Sequence, residues 1–208
     1  ANAEILSKKF IGLMGEVVAA KAAEYRPDFI LALAQAPLSP DAIHRLKELK
    51  IPIAFWFVED FRTLTYWKEV SNSYDHFFTI QKDKFHSELK SFGVQDCYYL
   101  PQGAHPKIHR PIDLSIEQKN KYKADISFLG AAYHNRVQSF PRLLRHDFKI
   151  WGTGWDLDSP LGKRLQNKNK RVKTEETVNI YNAGKINLNL HSSTFHYGIN
   201  PEGDFVNP

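Results

Sequence analysis

A chain of 208 residues and 24.0 kDa has room for one or two domains, each with a core that needs no staples. Apolar residues at 42% and charged residues at 25% exclude a wholly disordered, collagen-like or coiled-coil chain, and one cysteine, Cys97, excludes a disulfide framework and a multi-cysteine zinc site. The net charge of +5 is uneven: residues 1–105 hold 12 Lys and Arg against 13 Asp and Glu, while residues 106–208 hold 16 against 10, which suits the second half to an anionic partner.

Residues 1–25 are rich in Ala, Glu, Lys and Leu. Ile5, Phe10, Leu13, Met14, Val17 and Val18 recur at helical spacing and predict an amphipathic helix. Residues 28–33 predict a short buried strand. Ser39-Pro40-Asp41 is a helix start, with Ser as N-cap and Pro in the first position, and that helix runs to about Leu49. Residues 51–58 and 76–80 predict further buried strands, 83–91 a helix ended by Gly93, and 96–100 a strand. Strands that alternate with helices and are apolar on both faces indicate a parallel sheet with helices on each side.

Pro101, Pro106, Pro111 and the polar stretch 117–123 break this rhythm and predict a linker over 106–123. The alternation then restarts, with a strand at 124–129, a helix at 135–145, a strand at 148–151, a helix at 175–183 capped by Gly184, and a strand at 186–190. The fold class is α/β: two Rossmann-like units with parallel sheets, at 1–105 and 124–208. The first has no opening strand and the second stops after about three strands. Both therefore read as partial, and the chain reads as an excerpt from a longer protein. Its apolar runs fall short of the about 20 residues of a membrane span, and residues 1–10 have no apolar signal core. With its single cysteine, the expected setting is the cytoplasm.

Ligands of open α/β sheets bind at the carboxyl ends of strands. At the end of 124–129, Gly130 lets a ligand approach the backbone, and the next helix turns free N–H groups toward an anion. Arg136 lies in that helix's first turn, where a cation is disfavoured without a nearby anion, and Asn135 is a candidate N-cap. The pattern favours phosphate binding over a plain turn. Gly152-Thr153-Gly154-Trp155 follows the next strand; Trp155 is either a stacking platform for a flat ring or a core anchor. Glu59-Asp60 ends an apolar strand and offers a general base, or else a cap and a salt bridge with Arg62. Gly103 and His105 follow the strand at 96–100, where His105 can hydrogen-bond a substrate.

Asp156-Leu157-Asp158 has the Asp-x-Asp form that holds a divalent metal in one class of sugar transferases, but Ser159-Pro160 explains it as a helix start, and no metal is assigned. The nine histidines make no ligand cluster. Residues 163–173 contain Lys163, Arg164, Lys168, Lys170, Arg171 and Lys173 without an acid or an aromatic. The plain reading is a solvated loop or helix face; nucleic acid is not expected there, and phosphate steering or peripheral contact with an anionic membrane surface fits better. There is no G-x-G-x-x-G, P-loop or G-x-S-x-G elbow.

Residues 53–60 (Ile-Ala-Phe-Trp-Phe-Val-Glu-Asp), 100–105 (Leu-Pro-Gln-Gly-Ala-His), 125–130 (Asp-Ile-Ser-Phe-Leu-Gly) with Asn135-Arg136, and 181–191 occur in an order that resembles the CgeB-like, spore-maturation-type glycosyltransferases of bacteria, which have GT-B architecture. The resemblance runs from about Asp28 to Pro208. It implies an acceptor-side first domain and a second domain that holds a nucleotide-diphosphate sugar without a resident metal or other cofactor. It brings Gly130 and Arg136 to the diphosphate, and Gly152, Gly154 and Trp155 to the nucleotide side. Asn187 and His191 line the strand end, and Asp60 or Glu59 is the acceptor-side acid. The acceptor is a glycan, a protein or a small molecule. In the family a segment like Asn207-Pro208 is followed by an Arg and a Glu that reaches the ribose. The chain stops before them, which leaves a non-catalytic nucleotide- or glycan-binding module of the same fold as the alternative. Unpaired sheet edges also leave homo-oligomers open.

Overall fold

The computed structural model describes residues 2–36 and 38–191. The chain divides into two compact units between Gln102 and Gly103.

The first unit is a four-stranded parallel sheet in the order β1-β2-β3-β4 (Ile30–Leu33, Ile53–Phe57, His76–Thr79, Cys97–Tyr99). Strands that pair in chain order through right-handed crossovers put their connecting helices on one face. There α2 (Pro40–Glu48), α3 (Trp67–Val70) and α4 (Lys84–Ser91) cover Phe55, Phe57 and Phe77, all fully buried. Ser39 caps α2 by accepting the Ala42 N–H at 3.3 Å, with Pro40 in the first turn. The opposite face carries Leu33, Trp56, Phe78 and Tyr98 in one row, and Leu33 and Tyr98 are about half exposed.

Helix α1 (Asn2–Tyr25) forms where its pattern predicts, but it packs differently. Its buried positions are the small ones, Gly15 and Ala22; a Cβ on Gly15 would stand 2.6 Å from the Ala42 side chain. The stripe of Ile5, Phe10, Leu13 and Val17 is more than half exposed. Close approach of two helix backbones selects small side chains, and that contact outweighs the apolar stripe in setting the helix rotation.

The second unit has three parallel strands, β5 (Ala124–Leu129), β6 (Phe148–Trp151) and β7 (Gly184–Leu188), in the order β6-β5-β7. The stretch 106–123, expected as a linker, contains α5 (Ile116–Tyr122), fixed by a full capping box between Ser115 and Gln118. The step from β5 to β6 goes to one side and the step to β7 returns across β5, so the sheet has a core on each face. Phe128, Phe140, Phe148, Ile150 and Trp155 form one; Tyr122, Trp151 and Ile180 form the other. The helix expected over 135–145 is α6 (His134–Ser139) followed by a 3-10 turn at Phe140–Leu143, because Pro141 has no N–H to continue an α-helix. Gly184 caps α7 (Thr174–Ala183) as expected, its N–H donating to the Ile180 carbonyl, and it is also the first residue of β7, with ordinary extended backbone. Its need for glycine is steric: a Cβ there would meet Asn187 Oδ1 at 2.8 Å and Ser127 Oγ at 3.0 Å.

Candidate functional site

The carboxyl ends of β5, β6 and β7 meet through a set of short hydrogen bonds. Gly130 N–H donates to the Trp151 carbonyl at 2.8 Å and Ala132 N–H to the Thr153 carbonyl at 3.0 Å. Trp155 Nε1–H donates to the Gly130 carbonyl at 3.0 Å. Gly152 is required here: with φ +149°, a Cβ would lie 1.9 Å from the Gly130 carbonyl oxygen. Its glycine character thus lets two strand ends touch rather than admitting a ligand. Gly154 (φ +77°) faces open space, with nothing nearer than Ala132 at 3.9 Å.

Trp155 is only 3% exposed, stacked on Phe140 at 6.2 Å and edge-on to Phe128 at 6.3 Å. Of the two roles open to it, the geometry is that of a core anchor, and its ring offers no face for a base to stack on.

Arg136 is half-buried at the centre of this cluster. Nε donates to the Leu190 carbonyl at 2.8 Å and Nη1 to the Ala131 carbonyl at 2.9 Å, so the residue ties the β5 turn to the segment after β7. The guanidinium carbon lies 5.0 Å from the Phe128 ring centre and 4.7 Å from that of Tyr133. Burial pushes its pKa down from the usual value, and the Tyr133 phenol partly offsets this. Among the described residues no carboxylate neutralises it, so a desolvated positive charge stands at a strand's carboxyl end. The Gly130 amide is already taken, and Ala131 N–H is the amide of this turn with no protein partner among the described residues.

Asn135, 5% exposed, donates from Nδ2 to the His191 carbonyl at 2.6 Å, and its Oδ1 is buried without a partner. It is a clamp on the β7 end, not the N-cap; Tyr133 occupies the cap position. His191 joins the cluster through its backbone, while Asn187 lies within β7, accepting from Ser127 Oγ and donating to the Tyr181 carbonyl at 2.9 Å. Asn167 and Asn169 were not among the expected site residues. Asn167 binds the Gly152 N–H and carbonyl at 3.0 and 3.1 Å, and Asn169 binds those of Trp155 at 3.0 and 2.8 Å. Their only signal is the Asn-Lys-Asn spacing inside the basic run, a pattern that loops of every kind share.

In the first unit Glu59 and Asp60 follow β2. Asp60 receives Arg62 Nε on Oδ1 at 3.1 Å and Nη2 on Oδ2 at 2.9 Å, besides the Arg62 N–H at 2.9 Å. Both of its oxygens are engaged. Among the described residues, Glu59 accepts only Gln35 Nε2, at 2.7 Å on Oε1. Gln35, just past β1, also donates its N–H to Tyr66 Oη at 2.7 Å. Burial and then, more weakly, the Glu59 charge hold the Tyr66 pKa above its usual value against the Gln35 N–H. Gln35 and Tyr66 are additions to the candidate group; the position of Gln35 after β1 was the available signal. Gly103 and His105 fall in the second unit. Gly103 has open space around it, and His105 begins a turn closed by its N–H donating to His109 Nδ1 at 2.8 Å.

Asp156 accepts the Asp158 N–H at 3.1 Å in a local turn, and among the described residues no group of three or more His, Cys, Asp or Glu side chains is placed to hold a metal. No described helix is long and apolar enough to cross a membrane.

Residues 131–208 match a family described as glycosyl transferase-like. The match begins inside the β5 turn, one residue after Gly130, and supports glycosyl transfer as the general class of activity. No curated protein matches the chain.

Proposed function

We propose that the chain is part of a metal-independent glycosyltransferase of GT-B type, similar to the CgeB-like family, that transfers a hexose-type sugar from a nucleoside-diphosphate donor. The observation that carries this is Arg136: a half-buried cation without a carboxylate partner among the described residues, at the carboxyl end of the central strand where the family match begins. Nε and Nη1 are spent on carbonyls, which leaves Nη2 and the Ala131 N–H for phosphate oxygens.

In the reaction the bond between the anomeric carbon and the phosphate oxygen breaks, and its electron pair leaves with the nucleoside diphosphate. The acceptor oxygen or nitrogen bonds to that carbon and its proton passes to a base. Positive charge held in place before the reaction stabilises the leaving group without reorganisation. For the base, Glu59 is the better candidate of the two carboxylates, since Arg62 occupies both oxygens of Asp60. The reading includes a cytoplasmic setting, supported by the single free thiol of Cys97.

Calorimetric titration of the chain with uridine, guanosine, thymidine and cytidine diphosphates tests this. One should bind, and Arg136→Gln should weaken it by about 1–3 kcal/mol in protein that keeps its near-ultraviolet circular dichroism. Unchanged affinity removes Arg136 from the role; no binding by any of the four removes the reading. Donor turnover should persist in a chelator. The second reading, a non-catalytic nucleotide- or glycan-binding module, is favoured by the complete engagement of Asp60 and predicts binding without turnover.

A further inference from the structure

The cations of the basic run 163–173 play no part in the site chemistry above, yet the fold fixes the run firmly. Leu165 bridges Ile150 in parallel and Gln166 N–H donates to the Ile150 carbonyl at 2.9 Å, so the segment runs along the free edge of β6. Asn167 and Asn169 then grip both backbone groups of Gly152 and of Trp155. Lys168 and Asn169 adopt positive φ of 48° and 59°, a bend held by those contacts. Arg164 Nη2 donates to the Leu144 carbonyl at 2.8 Å, which joins the run to the segment carrying the exposed Arg142 and Arg145. Lys163, Lys168, Lys170, Arg171 and Lys173 are exposed, and none forms an ion pair among the described residues.

We infer that this pinned basic loop docks the protein on an anionic lipid bilayer. Five exposed cations on one rigid loop present more charge than a single diphosphate needs, and they suit a plane of many anionic headgroups. A nucleic-acid groove would interleave aromatic rings for stacking, and residues 163–173 contain none. The neighbouring loop after Trp155 adds Leu157, 54% exposed, as an apolar contact for the interfacial region. Asp156 and Asp158 flank it, and six cations against two acids still leave residues 156–173 at +4. The inference does not rest on the sugar-transfer reading, because no donor or acceptor enters it.

The test is co-sedimentation of the chain with vesicles of phosphatidylcholine alone or mixed with phosphatidylglycerol. The protein should partition onto the anionic vesicles, be released by high salt, and ignore the neutral ones. The triple change Lys168→Gln, Lys170→Gln and Arg171→Gln should lower partitioning on the order of 100-fold, at about 1 kcal/mol per cation. The same loss of charge from α5 and its C-cap, as Lys119→Gln, Lys121→Gln and Lys123→Gln, should leave most of it. Near-ultraviolet circular dichroism checks that both variants are folded. No binding to anionic vesicles overturns the inference, as does an equal loss in both variants. Tighter binding to a single-stranded oligonucleotide at the same salt assigns the loop to nucleic acid and overturns it as well.

Discussion

Replacing Gly152 by alanine tests the close approach of β5 and β6 from which the candidate site is built. The new Cβ would lie 1.9 Å from the Gly130 carbonyl oxygen and 2.6 Å from its carbon, both backbone atoms that no rotamer change can move. Relief needs the strand ends to separate by roughly 1 Å, given ordinary van der Waals contact distances. Three hydrogen bonds span that gap: Gly130 N–H to the Trp151 carbonyl at 2.8 Å, Trp155 Nε1–H to the Gly130 carbonyl at 3.0 Å, and Ala132 N–H to the Thr153 carbonyl at 3.0 Å. At about 1 kcal/mol net for each, plus about 1–2 kcal/mol for a non-glycine residue at φ +149°, the expected loss is about 4 kcal/mol. That is a large share of the roughly 5–15 kcal/mol that holds a domain folded. Urea unfolding followed by tryptophan fluorescence reads it, since Trp151 and Trp155 both border the joint; the midpoint should fall by about 1–3 M. Gly154→Ala is the internal comparison, because it meets only the φ +77° penalty and nothing nearer than 3.9 Å, an expected cost of about 1–2 kcal/mol. If Gly152→Ala melts no earlier than Gly154→Ala, the steric reasoning is refuted.

Asp75 accepts the Ile53 N–H at 2.9 Å and pairs with Lys47 at 3.0 Å; burial opposes its charge, but these partners outweigh it and hold its pKa below the usual value. A depressed carboxylate stabilises the fold above its unfolded pKa of about 3.9 and loses that contribution as pH falls through the folded value. Asp75→Asn should therefore cost about 1 kcal/mol at neutral pH, and the gap to wild type in urea melts should close on acidification. Ser115→Ala removes the oxygen that receives the Gln118 N–H at 3.1 Å and should cost about 1 kcal/mol by the same melts, with exchange of the α5 amides rising. If Glu59 is the base, Glu59→Gln should lower donor turnover by about 100-fold or more while diphosphate affinity holds. Asp60→Asn should instead lower stability by about 1–2 kcal/mol, because it breaks the paired bonds to Arg62.

Much of the fold was legible because it rests on local chemistry. Apolar runs bounded by turn residues marked the seven strands of the described residues to within two residues or so, and Ser39-Pro40 marked the start of α2. The misreadings have local causes of a subtler kind. Pro141 divides the predicted helix after β5, and Ser115 and Gln118 build a helix inside the expected linker. Within the site, Gly130, Asn135, Arg136, Gly152, Gly154 and Trp155 were legible as a group because they follow strand ends, while His191 came only from the family resemblance. Their individual duties were not, since a glycine that admits a ligand and one that admits a neighbouring strand look alike in a sequence.

The amino-acid sequence by itself determined the α/β alternation, the uneven charge and the positions of the strand-end turns, because these follow from side-chain period and backbone preference over a few residues. Only the tertiary structure decided that Trp155 is buried, that Arg62 occupies Asp60 while Glu59 keeps an oxygen without a protein partner among the described residues, and that Arg136 spends two donors on carbonyls. Those outcomes depend on which strand ends are neighbours. The order β6-β5-β7 joins residues 60 positions apart, as in the bond from Ser127 to Asn187, and no local pattern encodes that adjacency.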